Sequence, residues 1–149
     1  MTIAVVMDSA CLIGLERLQC LDLLSSLFDP VYVPPEVARE FGTVLPWFSV
    51  RAPSDKAALD ALNMLVDAGE AEAIALAREL AIKVVLDDRK ARAVGARMGL
   101  SVLGTLGILI QAKRAGLVAA IRPLLERLEA LGFHMSGSLK EEALRLADE

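Results

Sequence analysis

Ile3-Ala-Val-Val-Met7 is a short unbroken apolar run closed by Asp8-Ser9, the pattern of a strand covered on both faces of a parallel sheet. Leu12, Leu15, Leu18 and Leu23 then recur near helical spacing up to Phe28, and Asp29-Pro30 is expected to end that helix. Val31-Tyr-Val33 predicts a second strand, and Pro34-Pro35 opens a helix in which Val37 and Phe41 share a face before Gly42. Trp47 to Arg51 is a candidate third strand. Ser54 is the expected N-cap of a helix bearing Leu59, Leu62 and Leu65, and a further helix runs from Gly69-Glu70 to about Leu80. Lys83-Val-Val-Leu86 returns to strand, and a basic helix after Asp87-Asp88 closes at Gly99. Ser101-Val-Leu103 is a last core strand, followed by a helix capped by Thr105 that runs through Arg114 to Gly116. An amphipathic helix from Pro123 to Leu131, a peripheral strand at Phe133-His-Met135 and a terminal helix with a Ser138-x-x-Glu141 capping box complete the chain.

Strands alternating with helices predict one α/β domain over residues 1–149. Its parallel central sheet, with Ile3–Met7 in the middle, is flanked by helices in a three-layer α/β/α arrangement, with a helical C-terminal extension over about 117–149.

Composition narrows the chemistry. The chain has 149 residues, 55% of them hydrophobic and 24% charged, enough apolar material for a substantial core and too much for disorder. The formal net charge of -4 gives no bulk attraction to nucleic acid or anionic lipid, so any such contact must be local. Two cysteines, Cys11 and Cys20, placed on one expected helix, make no disulfide framework, and a single histidine, His134, leaves too few soft ligands for an ordinary zinc site. The many acids suit Mg²⁺ or Mn²⁺ instead. With no basic leader at the N-terminus and no uncharged run longer than Met98 to Ala112, the expectation is a soluble cytoplasmic protein with no membrane span. Six aromatic residues advertise no base-stacking platform.

Ligands of an open parallel sheet bind beyond the carboxyl ends of its strands, and here the residues at those ends are acids. Asp8 follows the first strand and Asp87-Asp88 follow the Lys83 strand, while Glu40 lies inside the helix after the second strand and Glu70 opens the helix that returns to Asp87. Asp8-Ser9 and Asp87-Asp88 also stand where helix N-caps belong, and Asp67-x-x-Glu70 has the spacing of a capping box. Glu40 has no such explanation: it flanks an apolar face with Glu36 one turn back, so a positive group is expected beside it. Converging carboxylates raise one another's pKa unless a cation compensates, and a divalent metal is the natural compensation. Arg89, Lys90 and Arg92 open the next helix and are candidates to hold backbone phosphates, with an ordinary solvated helix face as the alternative. The phosphate-loop, dinucleotide-turn and nucleophile-elbow motifs are absent.

Taken in order, strand–Asp8–Ser9, helical Glu40, helix-opening Glu70 and strand–Asp87–Asp88 resemble the PIN-domain (PilT N-terminus) nucleases over nearly the whole chain. Gly69-Glu-Ala-Glu-Ala-Ile-Ala-Leu-Ala77, Leu86-Asp-Asp-Arg-Lys-Ala-Arg92 and Gly104-Thr-Leu-Gly107 are similar to the signatures of a VapC-like toxin subgroup. The resemblance implies a metal-dependent endoribonuclease that hydrolyses RNA phosphodiester bonds, acts as the toxin of a toxin–antitoxin pair and is held inactive by a small antitoxin. It implies Asp8, Glu40, Glu70 and Asp88 as catalytic acids. Asp8, Glu40 and Asp88, with Asp87 sharing or replacing the last, would be Mg²⁺ or Mn²⁺ ligands, with Ser9 in support. A homodimer is the arrangement usual in such toxins, and the apolar first helix and the Leu117–Leu131 segment are its candidate surfaces. Two positions depart from the pattern: Leu86 stands where many members have threonine, and Glu70 where many have aspartate. The rival readings are a PIN-like module that binds protein or RNA without catalysis, and a nuclease acting on DNA.

Overall fold

A computed structural model describes residues 2–149. Five parallel strands, β1 (Ile3–Met7), β2 (Phe28–Val33), β3 (Phe48–Val50), β4 (Lys83–Val85) and β5 (Val102–Leu103), form one sheet in the order β3-β2-β1-β4-β5. The central place of β1 is as expected: Val5 and Val6 lie opposite Val31 and Tyr32 on one side and Lys83 and Val84 on the other. Nine helices are described: α1 (Ser9–Arg17), α2 (Asp22–Leu27), α3 (Pro35–Phe41), α4 (Lys56–Asn63), α5 (Ala68–Leu80), α6 (Arg89–Arg97), α7 (Thr105–Arg114), α8 (Arg122–Ala130) and α9 (Gly137–Leu146).

The period-two geometry of the strands divides the core in two. Val5, Met7, Val31, Val33 and Val85 face one cluster with Cys11, Leu12 and Leu15 of α1, Leu24 of α2, Val37 of α3, Ile108 and Leu109 of α7, and apolar residues of α8 and α9. Val6, Val84 and Leu86 face the other, with Leu62 of α4, Ile74 and Leu76 of α5, and Ala91 of α6. The result is the three-layer α/β/α arrangement, and it explains why β1 and the Val84–Leu86 run read as unbroken apolar stretches.

Several expected boundaries move. The Leu12–Phe28 helix is two, because the chain breaks at Leu18–Leu21 with Gln19 at φ 59°, and Cys20 falls in the break. Strand β2 begins at Phe28 and runs through the cis Asp29–Pro30 peptide, so the apolar residue assigned to the helix end is the strand's first. Asp55, not Ser54, caps α4 by accepting from the Ala58 N–H (3.1 Å), while Ser54 bonds the Glu79 carboxylate. Ser136, not Ser138, caps α9 by accepting from the Leu139 N–H (3.1 Å), which places Ser138 inside the helix. No strand forms at Phe133–Met135; the segment is an irregular link between α8 and α9. Gly104 occupies the cap position of α7, and Thr105 is the helix's first residue. Among the described residues no helix is long and apolar enough to cross a membrane.

The turn from α5 to β4 joins the helix that carries Glu70 to the strand that leads to Asp87, and it passes through Ala81 in the left-handed region (φ 57°, ψ 47°). An L-residue there is strained by about 1–2 kcal/mol, partly offset because alanine loses less chain entropy on folding than glycine. Ala81→Gly is therefore expected to stabilise the protein by about 0.5–1 kcal/mol, read as a rise in Tm, with the sheet unchanged.

Candidate functional site

Asp8 emerges from the carboxyl end of the central strand at the N-cap position of α1, yet its side chain makes no capping bond and the residue is only 3% exposed. Of the acids that sequence placed at strand ends, it is the one for which capping fails as an explanation. Burial pushes its pKa up to about 7; the Ser9 N–H pulls it down, and the charges of Glu70, Asp67 and Glu40 add to the rise.

Glu40 reaches the same region from the last turn of α3, accepting from the Ser9 hydroxyl at 3.2 Å. The approach depends on Gly69 in the first turn of α5, where any Cβ would collide with the Glu40 carboxylate. Burial and the charges of Asp67 and Glu36 raise the Glu40 pKa, against the lowering effect of the Ser9 hydroxyl and Arg39. Arg39 is thus the positive group expected beside Glu40, although it is exposed and paired with Glu36.

Glu70 is buried, and its geometry is the capping box its spacing predicts: the Asp67 carboxylate accepts from the Glu70 N–H (2.8 Å) and the Glu70 carboxylate accepts from the Asp67 N–H (3.2 Å). Burial raises the Glu70 pKa to about 7, with the charges of Asp67 and Asp88 contributing. Asp67 is a member that sequence reasoning assigned to capping alone. Its charge acts on Asp8, Glu40 and Glu70 together. The available signal was its position one helical turn before Glu70 in the same acidic segment.

The two acids after β4 separate. Asp88 caps α6 by accepting from the Ala91 N–H (2.9 Å) and keeps its charge within reach of Glu70. Asp87 turns to α7, where its carboxylate accepts from both the N–H (2.8 Å) and the hydroxyl (2.5 Å) of Thr105. Arg89 and Lys90 are exposed on the first turn of α6. Arg92 is half-buried and donates to the Leu86 carbonyl (2.8 Å), packed against Gly104, where a Cβ would lie 2.7 Å from its guanidinium.

Acids from α3 and the start of α5 gather at Asp8, and Asp88 at the start of α6 adds its charge at Glu70; the like charges raise pKa values. A family model described as a PIN domain matches residues 4–149. The chain belongs to the PIN-domain family. No curated protein matches it. PIN domains are generally nucleases and generally use divalent metals, which makes the fit of a metal here a question for these residues. By chemistry the donors fit: all are carboxylates, and the buried Asp8 lacks a capping partner. In placement they do not close on an ion, since no three acidic, histidine or cysteine side chains among the described residues stand together at ligating distance.

The raised pKa values have a direct consequence for stability. A carboxyl group with a folded pKa near 7 and an unfolded value near 4 retains a proton in the folded protein that the unfolded chain releases. The stability it contributes is complete below the unfolded value and is lost as pH rises through about 7. Metal-free protein is therefore expected to lose stability between about pH 4 and pH 7 from this source, and Asp8→Asn to flatten the profile and raise Tm at pH 8, as thermal melts across pH would show. Gly69→Ala is expected to displace Glu40 from Ser9 while leaving the circular dichroism spectrum of the PIN domain unchanged.

Proposed function

We propose that this PIN domain is a metal-dependent endoribonuclease, the toxin of a toxin–antitoxin pair. The observation that carries the reading is Asp8, a buried carboxylate at the end of the central strand that caps nothing and lies in the field of Glu40, Asp67 and Glu70. A protein gains no stability from such a group at neutral pH, so its presence favours a cationic ligand.

In this reading Asp8, Glu40 and Asp88 hold Mg²⁺ or Mn²⁺, with Glu70 at their margin because its carboxylate is engaged by the Asp67 N–H. Ser9 orients Glu40 through its hydroxyl. A bound divalent ion would lower the pKa of attacking water and stabilise charge on the phosphate during in-line hydrolysis. Arg89 and Lys90, exposed beside Asp88, supply phosphate contacts that offset the acidic edge. Asp87, with both oxygens engaged by Thr105, is a brace and not a ligand. A small antitoxin covering the acid edge and a homodimer formed through the Leu117–Leu131 face, where Leu117 and Leu131 are 42% and 45% exposed, complete the proposal.

A non-catalytic PIN module is the second reading, favoured by the local bonds of Asp88, Asp87 and Glu70 and by the absence of a closed ligand triad among the described residues. Calorimetric titration with Mn²⁺ separates the two without knowledge of the substrate. The nuclease reading expects saturable binding that is lost in Asp8→Asn and kept in Asp87→Asn, and metal-dependent cleavage of ribose but not deoxyribose oligonucleotides that falls by roughly two to four orders of magnitude in Asp8→Asn. No binding at millimolar Mn²⁺, or full cleavage by Asp8→Asn, would sink it.

A further inference from the structure

A groove of about 400 Å³ opens beside the acid edge, between β5, α7, α9 and the α8–α9 link. Its floor is apolar, with Leu103, Leu106 and Ile110 among the lining residues, and Phe133 and His134 of the link also border it. At one part of its wall stand Asp87 and Arg92, both packed around Gly104.

The charges on this lining are unequally committed. Asp87 accepts from Thr105 through both carboxylate oxygens, and Glu142 is paired with Arg145. Arg92 uses one guanidinium nitrogen on the Leu86 carbonyl and makes no carboxylate pair among the described residues, while the His134 side chain is exposed and unbonded among them. A ligand meeting this surface finds an apolar slot with an aromatic edge and donors at its rim. That combination suits a flat heteroaromatic ring with acceptor atoms at its border and a phosphate attached. The groove also opens at the carboxyl edge of the sheet, where Asp87 and Gly104 of its wall follow the ends of β4 and β5.

We infer that the groove receives the base of a nucleotide flanking the cleaved phosphodiester, with Phe133 as a stacking surface and Arg92 and His134 as polar contacts. The inference rests on the nuclease reading above and adds a subsite to it: a strand crossing the carboxyl edge of the sheet places one base in the groove while its backbone passes the acids. Six aromatics in the sequence advertised no stacking platform, and one suitably placed ring is sufficient for a single base.

Two variants test this without touching the acids or the core. Gly107 lines the groove, and a Cβ there makes only ordinary contact with Leu103 (3.5 Å), so Gly107→Leu fills the slot. His134→Ala removes an exposed rim group. Affinity of the full chain for a short fluorescent oligouridine is measured by anisotropy in EDTA, and KM for the same strand in Mn²⁺, with an abasic strand of equal charge as control and Tm as a check on folding. Gly107→Leu is expected to raise Kd and KM for oligouridine by about tenfold, His134→Ala by a smaller factor, and both to leave kcat and abasic-strand binding unchanged. Unchanged Kd and KM in both variants would overturn the base subsite and leave the nuclease reading standing, as would equal weakening of the abasic strand. Absence of both binding and metal-dependent cleavage in the unaltered protein would overturn the two together.

Discussion

A carboxylate held where the central strand leaves the core is the constraint to which the rest of the site answers. The carboxyl half of β1, Val5 to Met7, is buried on both faces, so the chain leaving it delivers Asp8 into a place that is nearly dry. Removing a carboxylate from water disfavours its charged form, and an N-terminal helix cap would be the ordinary remedy. Asp8 stands at the cap position of α1 and takes no such bond. What surrounds it makes matters worse electrostatically, because Glu40, Asp67 and Glu70 bring further negative charge. The protein keeps the group by letting its pKa rise, and the stability it gives up on deprotonation is recoverable by a cation.

Gly69 controls how close that charge comes. Without a side chain at the start of α5, α3 can lay its last turn against α5, and Glu40 fills the space a methyl group would occupy. The same segment begins with the reciprocal Asp67–Glu70 capping box, so one short stretch both starts a core helix and presents acids to the neighbouring strand end. Capping and ligand presentation are compatible here because each carboxylate has two oxygens and the cap engages one of each pair.

The order of strands, the central position of β1 and the acids at the strand ends were legible because each has a local signature: an unbroken β-branched run, then a polar residue at its carboxyl end. The broken first helix was not. Leu12 to Leu23 keep an apolar spacing across the Leu18–Leu21 turn, since residues on both sides of the break face the same cluster, and periodicity reports the face without reporting continuity. Caps shifted by one or two residues at Asp55 and Ser136 because neighbouring Ser and Asp side chains can all accept from a first-turn N–H, and the choice falls to tertiary partners such as Glu79, which occupies Ser54. Asp67 escaped notice as part of the site for the same reason: a local bond explained it fully, and its charge matters only once α3 and β1 are folded beside it.

The departure at Leu86 shows how a fold can replace one support with another. A hydroxyl on the strand two residues before Asp88 would steady the acids at that end, but Leu86 is fully buried in the second cluster and packs beside Gly95. Hydroxyl support reaches this corner instead from Thr105, across the gap between β4 and α7, and it is spent on Asp87. Adjacent residues at a strand end diverge to opposite sides of the sheet, so Asp87 fastens the α7 layer while Asp88 caps α6 and faces Glu70. Two consecutive acids that look redundant in sequence therefore do different things. One ties the end of β4 to α7, and the other caps α6 and adds its charge at Glu70.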